Sequence, residues 1–493
     1  MQRRALSDEL QHWIAHIEDI ARGYGLDFFP TIFEMVTYEQ MNMLAAYQGF
    51  PVRYRHWRWG MEYERLAKSY EYGLHKIYEM VINTQPAYTY LLQGNSLIDQ
   101  KLVIGHVFAH VDFFKNNAWF SRSDRKMLDR MANHAAKFDR IQERHGSDTV
   151  EEYIDLCLSI DNLIDIHSPY ARRPEMDVDD DGRVPEIQKI PARQYMDRYI
   201  NPEDALARER DSMRERWEAQ KNRFPVEPER DVMLFLLQHA PLDRWQQTIL
   251  EAIRAEAYYF APQAMTKIMN EGWASYWHSK IMTEKVCDDS EIVDFACSHS
   301  ATMAMSPTQI NPYKIGLELF RDIEDRWNKG RFGLEYEQCE DMDTKMRWDR
   351  DLGLGREKIF QVRKIYNDVT FIDEFFTPEF CQRQQLFTFG FDRKHENWEV
   401  QSRETGKIKD MLLRQLTNFG QPMIYVENAN YKNRSELLLW HKHDGMDLKA
   451  DYAERTLSNL TRLWSRPVHI RTESDGKTIL WSHDGSAFSQ EEG

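Results

Sequence analysis

Apolar residues recur at helical spacing through most of the chain. Residues 6–22 carry them on one stripe, behind a Ser7 suited to cap a helix. The same spacing predicts helices over 31–48 and 60–82, separated by an aromatic and basic loop around Pro51. A third long helix is expected from Leu97 to about Asn117. Residues 121–146 read as a polar surface helix, and 149–166 continue in helical style. Between Arg172 and Pro191 the chain turns charged and proline-bearing, which marks a linker, and 203–221 follow as a highly charged helix. Further helices are expected over 231–239, 243–260, 262–283, 291–303 and 312–328. No strand-like alternation stands out before about residue 366.

The tail has a different rhythm. Residues 386–391 and 398–402 read as paired strands, followed by a helix over 407–418. Residues 423–427 and 437–441 are strands flanking a turn-rich stretch, and 448–464 form an amphipathic helix ending before Pro467. Residues 468–472 and 477–482 form a hairpin across Ser474, Asp475 and Gly476. The order ββα-ββα-ββ predicts a small C-terminal α+β domain over 381–486. The mainly α N-terminal domain spans 1–375, with the charged linker near 172–222.

With 493 residues the chain can bury a large core, and 42% hydrophobic residues exclude a disordered chain. A net charge of −16 argues against a general nucleic-acid binder, which needs a basic footprint. The local run Arg53, Tyr54, Arg55, His56, Trp57, Arg58 and Trp59 reads more simply as Arg–Trp packing. Five Cys in no C-x-x-C pairing give neither a disulfide framework nor a zinc ribbon, and fit reduced thiols in a cytoplasmic protein. The N-terminus has no apolar run of a secretory signal, and no stretch approaches a membrane span.

Two segments concentrate the chemistry. His106 and His110 stand four apart within residues 105–117, so a helix stacks both imidazoles on one face, the spacing a metal ion requires. Glu271 and His278 stand seven apart within residues 270–278 and share a face of a second helix. Both segments are rich in aromatic and aliphatic residues, and an ionisable group there needs a partner or a metal.

The chain resembles the SpoVR family, named for stage V sporulation protein R. The resemblance rests on residues 45–54 (Ala-Ala-Tyr-Gln-Gly-Phe-Pro-Val-Arg-Tyr), 60–65, 76–83 and 94–97, on the His and Glu segments, and on 306–313 and 462–469. It runs from about residue 6 to 484. It implies a link to sporulation, the spore cortex or stress response. It also implies partnership with a PrkA-type serine kinase and a von Willebrand-like protein, whose genes often lie beside those of the family. No settled reaction comes with the resemblance.

The residues themselves admit several readings. Zincin metallopeptidases carry H-E-x-x-H on one helix and, in one class, a third ligand Glu on a later helix. Here His106, His110 and Glu271 match the ligand set, with zinc the expected divalent metal, but Val107 stands where the general base belongs. Glu256 and His278 are the candidates for base or fourth ligand. Asp112 is the weaker claimant because it points about 200° away from His110. The bland reading has both His hydrogen-bonded in a wet core and Glu271 paired with an Arg. A di-iron centre ranks lower, because no E-x-x-H stands near the aromatic core. Residues 177–184 resemble the start of a calcium loop, but Gln188 replaces its last ligand. Ser306 lacks the partners of a nucleophile. Two functions remain: a metal-dependent amide hydrolase lacking the usual base, or a non-catalytic assembly factor.

Overall fold

A computed structural model describes residues 6–71, 78–171, 189–220, 223–304, 311–392, 397–474 and 476–492. The chain forms two compact units: Met1–Glu151 with Tyr258–Gly420, and Glu152–Ala257 with Gln421–Gly493. This division departs from the expected 1–375 and 381–486. The hairpin β4 (Thr388–Asp392) and β5 (Asn397–Ser402) and the helix Thr405–Leu416 belong to the first unit. Ile408 and Leu412 of that helix are buried in the first unit's apolar core, so burial assigns them there despite their place in the tail. The linker acids at 177–184 and Ser306 lie outside the described residues.

The first unit is mainly helical but holds a sheet that helical periodicity conceals. Strands β1 (Thr31–Val36), β2 (Glu79–Ile82) and β3 (Ala87–Leu92) align in the order β1-β3-β2. β1 runs parallel to β3, and β2 antiparallel to it. The expected helix over 31–48 is therefore a strand followed by the helix Tyr38–Ala46. Thr37 and Gln40 form a capping box at the junction, a signal that the continuous apolar run obscures. The expected helix over 60–82 likewise ends at Glu71, and the β-branched Val81 and Ile82 close strand β2. Arg53 of the aromatic-basic loop is buried, its guanidinium 4.3 Å from the Trp59 ring centre.

The helix Leu97–Asn116, here the His helix, starts at Ser96, whose Oγ accepts a hydrogen bond from Asp99 N at 3.2 Å. Every residue from 103 to 114 is buried, as an all-round apolar helix demands. Against it packs the helix Lys267–Ile281, here the Glu helix. The preceding helix Arg244–Met265 runs through Pro262, where a break was expected, and stops at Thr266, whose φ of −130° leaves helical geometry. The Asp368 carboxylate then accepts hydrogen bonds from Ile268 N and Met269 N at 2.8 and 2.9 Å. A side chain distant in sequence thus satisfies amide donors that a helix start leaves free.

The helix Pro312–Lys329, here the Tyr helix, crosses the Glu helix at two glycines. A Cβ built on Gly272 would lie 2.3 Å from the Gly316 carbonyl carbon, and one on Gly316 would lie 2.1 Å from the Ile268 oxygen. The two backbones touch, which only glycine permits.

The second unit carries the five-stranded sheet of the α+β tail, in the order β10-β9-β8-β7-β6. Its strands are β6 (Met423–Tyr431), β7 (Glu436–Lys442), β8 (Val468–Ser474), β9 (Lys477–His483) and β10 (Phe488–Glu492). Strands β7 and β8 are parallel, bridged by the helix Ala450–Trp464, and the other neighbours are antiparallel. An isolated bridge joins Glu229 to Val426 at the β6 edge, tying the middle of the chain to this sheet. None of the five Cys forms a disulfide. Among the described residues no helix is long and apolar enough to cross a membrane.

Candidate metal centre

The His helix presents His106 and His110 one turn apart, with ring centres 4.4 Å apart and planes nearly perpendicular. The Glu helix brings Glu271 between them. Glu271 Oε2 lies 3.5 Å from His106 Nε2 and 3.5 Å from His110 Nε2. A tetrahedral ion bound at about 2.0–2.2 Å separates its ligand atoms by roughly 3.3–3.6 Å, so both spacings suit one ion. Glu271 Oε2 is also a buried oxygen without a hydrogen-bond partner, an arrangement that costs free energy unless something positive meets it. These three are the metal-suited cluster of His, Cys, Asp and Glu among the described residues. Among the described residues no Arg pairs with Glu271, while both histidines are hydrogen-bonded, as the bland reading expected of them.

The far side of each imidazole is engaged. His110 Nδ1 lies 2.9 Å from Asn270 Oδ1. An amide oxygen only accepts, so Nδ1 carries the hydrogen and Nε2 of the neutral ring keeps its lone pair toward Glu271. Asn270 and Glu271 are consecutive, so one turn of the Glu helix supplies both a carboxylate and the group that orients its neighbour. His106 Nδ1 meets His278 Nδ1 at 2.8 Å, and His278 Nε2 meets His299 Nδ1 at 3.2 Å. When His106 donates into this chain, its Nε2 is also bare toward Glu271. Such outer partners hold ligating imidazoles in place.

Electrostatics favours the neutral forms of His110 and His278. Burial pushes His110 down to about 4, and the nearby His106 adds to the effect, while Glu271 and Asn270 oppose it. His278 is driven well below the usual histidine range by burial and by His106. Burial works to raise Glu271, but His106 and His110, together with the charge of Lys267, outweigh it and hold this carboxyl below its ordinary value. The group is thus an anion beside two imidazoles.

Glu79 of β2 lies beside this cluster, its Oε1 4.0 Å from His106 Nε2. Burial raises its carboxyl, with Glu271 adding and His106 opposing. The Tyr313 ring of the Tyr helix lies 6.2 Å from the His106 ring at 24°. Burial lifts its hydroxyl, followed by the charges of Glu271 and Glu79. Sequence reasoning missed both residues: Glu79 because its strand reads as helix, and Tyr313 because its helix carries no metal-ligand spacing.

The remaining candidates have other surroundings. Asp112 is turned to the opposite side of the His helix, as its angle predicts. It accepts hydrogen bonds from Asp27 N at 2.8 Å and Trp273 Nε1 at 2.9 Å, and its Oδ1 lies 3.6 Å from Arg363. Burial pushes it up to about 6 against the pull of Arg363. Val107 is fully buried in the apolar core. His278 stands behind His106, its Nδ1 engaged. Glu256 is buried on the helix Arg244–Met265, in the part of that helix belonging to the second unit.

Comparison with known proteins agrees with these motifs. The family profile described as "SpoVR like protein" matches residues 5–421, and that of the "SpoVR-like C-terminal domain" matches 422–475. The second match begins within two residues of the tail portion of the second unit. The chain is 29% identical over 500 residues to a protein named "Uncharacterized protein YcgB" of Escherichia coli (strain K12), covering 96% of this chain and 93% of that one. No solved structure matches it.

Proposed function

The chain belongs to the SpoVR family, and from that premise and its buried cluster we propose that it is a divalent-metal protein acting as an amide hydrolase of degenerate zincin type. The observation that carries this reading is the approach of Glu271 Oε2 to His106 Nε2 and His110 Nε2 at 3.5 Å each, with that oxygen otherwise unpartnered. Zinc is the proposed metal; when bound, such an ion polarises a carbonyl and makes water a better nucleophile.

The chain's own residues do the rest. His106, His110 and Glu271 hold the ion. Asn270 fixes the tautomer of His110, and His278 orients His106. The proposed setting is cytoplasmic and tied to sporulation, cortex formation or stress, so a cortex-precursor peptide or a protein is the fitting substrate. A PrkA-type serine kinase and a von Willebrand-like protein are the proposed partners.

Metal analysis of purified protein, beside His106→Ala and Glu271→Ala, tests the centre. About one equivalent in the wild type and loss in both variants is expected. Wild-type protein that holds no stoichiometric metal under metal-replete conditions would sink it. Hydrolysis is tested separately, by incubating zinc-loaded protein with cortex-type peptides and following the release of new amino groups. A metal-loaded protein that releases none, while His106→Ala retains full cellular function, leaves the assembly-factor reading in its place.

A further inference from the structure

We infer that His299 is a positioning residue for the ion site, the last acceptor of a three-ring chain whose direction keeps His106 Nε2 bare. This rests on the proposed centre and adds to it a ring outside its ligand set.

The chain runs from His106 Nδ1 to His278 Nδ1 at 2.8 Å and from His278 Nε2 to His299 Nδ1 at 3.2 Å. Two ring nitrogens at such a distance share one hydrogen. Three neutral rings carry three ring hydrogens, and the two contacts hold two of them. The third stands at one end, on His106 Nε2 or on His299 Nε2. An ion on His106 Nε2 leaves no place for it there. The hydrogens then all point outward. His106 Nδ1–H donates to His278 Nδ1, His278 Nε2–H donates to His299 Nδ1, and the third hydrogen stands on His299 Nε2. No ring changes charge, and only the direction of the chain is set. Burial lowers both His278 and His299, in keeping with neutral rings.

The packing holds the outer ring for this part. His299 lies in the last turn of the helix Ile292–Thr302, which is tied to the His helix at two points. Lys101 Nζ lies 2.6 Å from Glu291 Oε1, and Ser298 Oγ lies 3.3 Å from Asp99 Oδ1. Phe295, one turn before His299, stacks on its ring with centres 5.5 Å apart at 23°. The same Phe295 meets the His278 ring edge-on at 6.4 Å. One aromatic side chain therefore packs on both partners of the outer contact. His106 is buried and His299 only half-buried, so the outer end is the one nearer to water, where an N–H costs little.

Zinc chloride is the probe, added to metal-free full-length protein carrying isotope-labelled histidines. Long-range nitrogen–proton correlation NMR tells a bare ring nitrogen from one that bears hydrogen, and competition with a chelator gives the affinity. Wild type is compared with His299→Phe, which keeps a ring but offers no acceptor, and with His299→Asn, whose amide oxygen stands in for Nδ1. Circular dichroism confirms that each variant is folded. In zinc-loaded wild type the hydrogen is expected on Nδ1 of His106 and on Nε2 of both His278 and His299. His299→Phe is expected to bind zinc about 10-fold more weakly, the lower end of the range for an outer partner, and to lose the single Nε2–H form of His278. His299→Asn is expected to restore both. Zinc-loaded wild type with the His278 hydrogen on Nδ1 overturns the inference, as does a folded His299→Phe that keeps wild-type affinity. If His299→Phe fails to fold, the wild-type spectrum and His299→Asn decide it, and loss of the Nε2–H form of His278 in that variant counts against the role. Wild-type protein that takes up no zinc removes the centre itself, and this inference with it.

Discussion

His106 and His278 face each other Nδ1 to Nδ1 at 2.8 Å, so a single hydrogen lies between two buried rings. In the proposed centre that contact makes His278 the support of His106. Removing it with His278→Ala leaves His106 free to turn. Loss of an outer partner of this kind typically costs 10- to 100-fold in metal affinity. The same loss is expected here, measured by competition with a chelating dye, and a wild-type affinity would show that His106 is held by other means.

Asn270 does for His110 what His278 does for His106. Asn270→Ala is expected to weaken metal binding by a similar factor, whereas Asn270→Asp, which keeps an acceptor at Nδ1, should retain most of it. Equal losses in the two variants would show that the amide oxygen is not the orienting group.

Burial raises Asp368 to about 7, against the two amide hydrogen bonds that favour its anion. In the unfolded chain the group titrates near 3.8. The folded state therefore holds the proton more tightly between those values, and this group's stabilising contribution is lost as pH rises from about 4 through about 7. Asp368→Asn removes that term. The difference in unfolding free energy between variant and wild type should shift in favour of the variant across that window. Denaturant titrations at several pH values would measure it, and parallel profiles would contradict it.

Asp112 and Arg363 are both buried, with Asp112 Oδ1 3.6 Å from the guanidinium. Asp112→Ala strands Arg363 in the core and leaves Trp273 Nε1 without its acceptor. Truncating one partner of a buried pair costs about 3–5 kcal/mol. Chemical denaturation should register a loss of that order, with Asp112→Asn milder because it still accepts from Trp273.

Gly272 and Gly316 meet backbone to backbone where the Glu and Tyr helices cross. A Cβ on Gly316 meets the Ile268 carbonyl backbone, which cannot swing aside. Gly316→Ala should destabilise the protein by about 2–3 kcal/mol or more through overpacking. Its thermal midpoint would report this, and an unchanged midpoint would mean that the helices separate at little cost.

Much of this was legible one residue at a time. The His106–His110 spacing, the Glu271 segment, the all-round apolar His helix and the strands of the tail are local patterns, and local patterns survive in sequence. Strand β1 did not survive, because Ile32, Phe33, Met35 and Val36 join the apolar run of the next helix and only the Thr37–Gln40 capping box divides them. Strand β2 hid Glu79 in the same way, at the end of what reads as a helix.

By itself, then, the sequence determined the family motifs, the paired imidazoles and the alternation of a helical body with a mixed tail. Helix periodicity and residue spacing depend on neighbours a few positions away. Tertiary structure alone decided which acids reach those imidazoles, that residues 152–257 fold with 421–493, and that Asp368 closes the start of the Glu helix. Several of those relations join residues far apart in the sequence, as Ile268 and Asp368 are, 100 positions from one another. They follow from burial and from the need to satisfy every buried donor and charge, which no local pattern encodes.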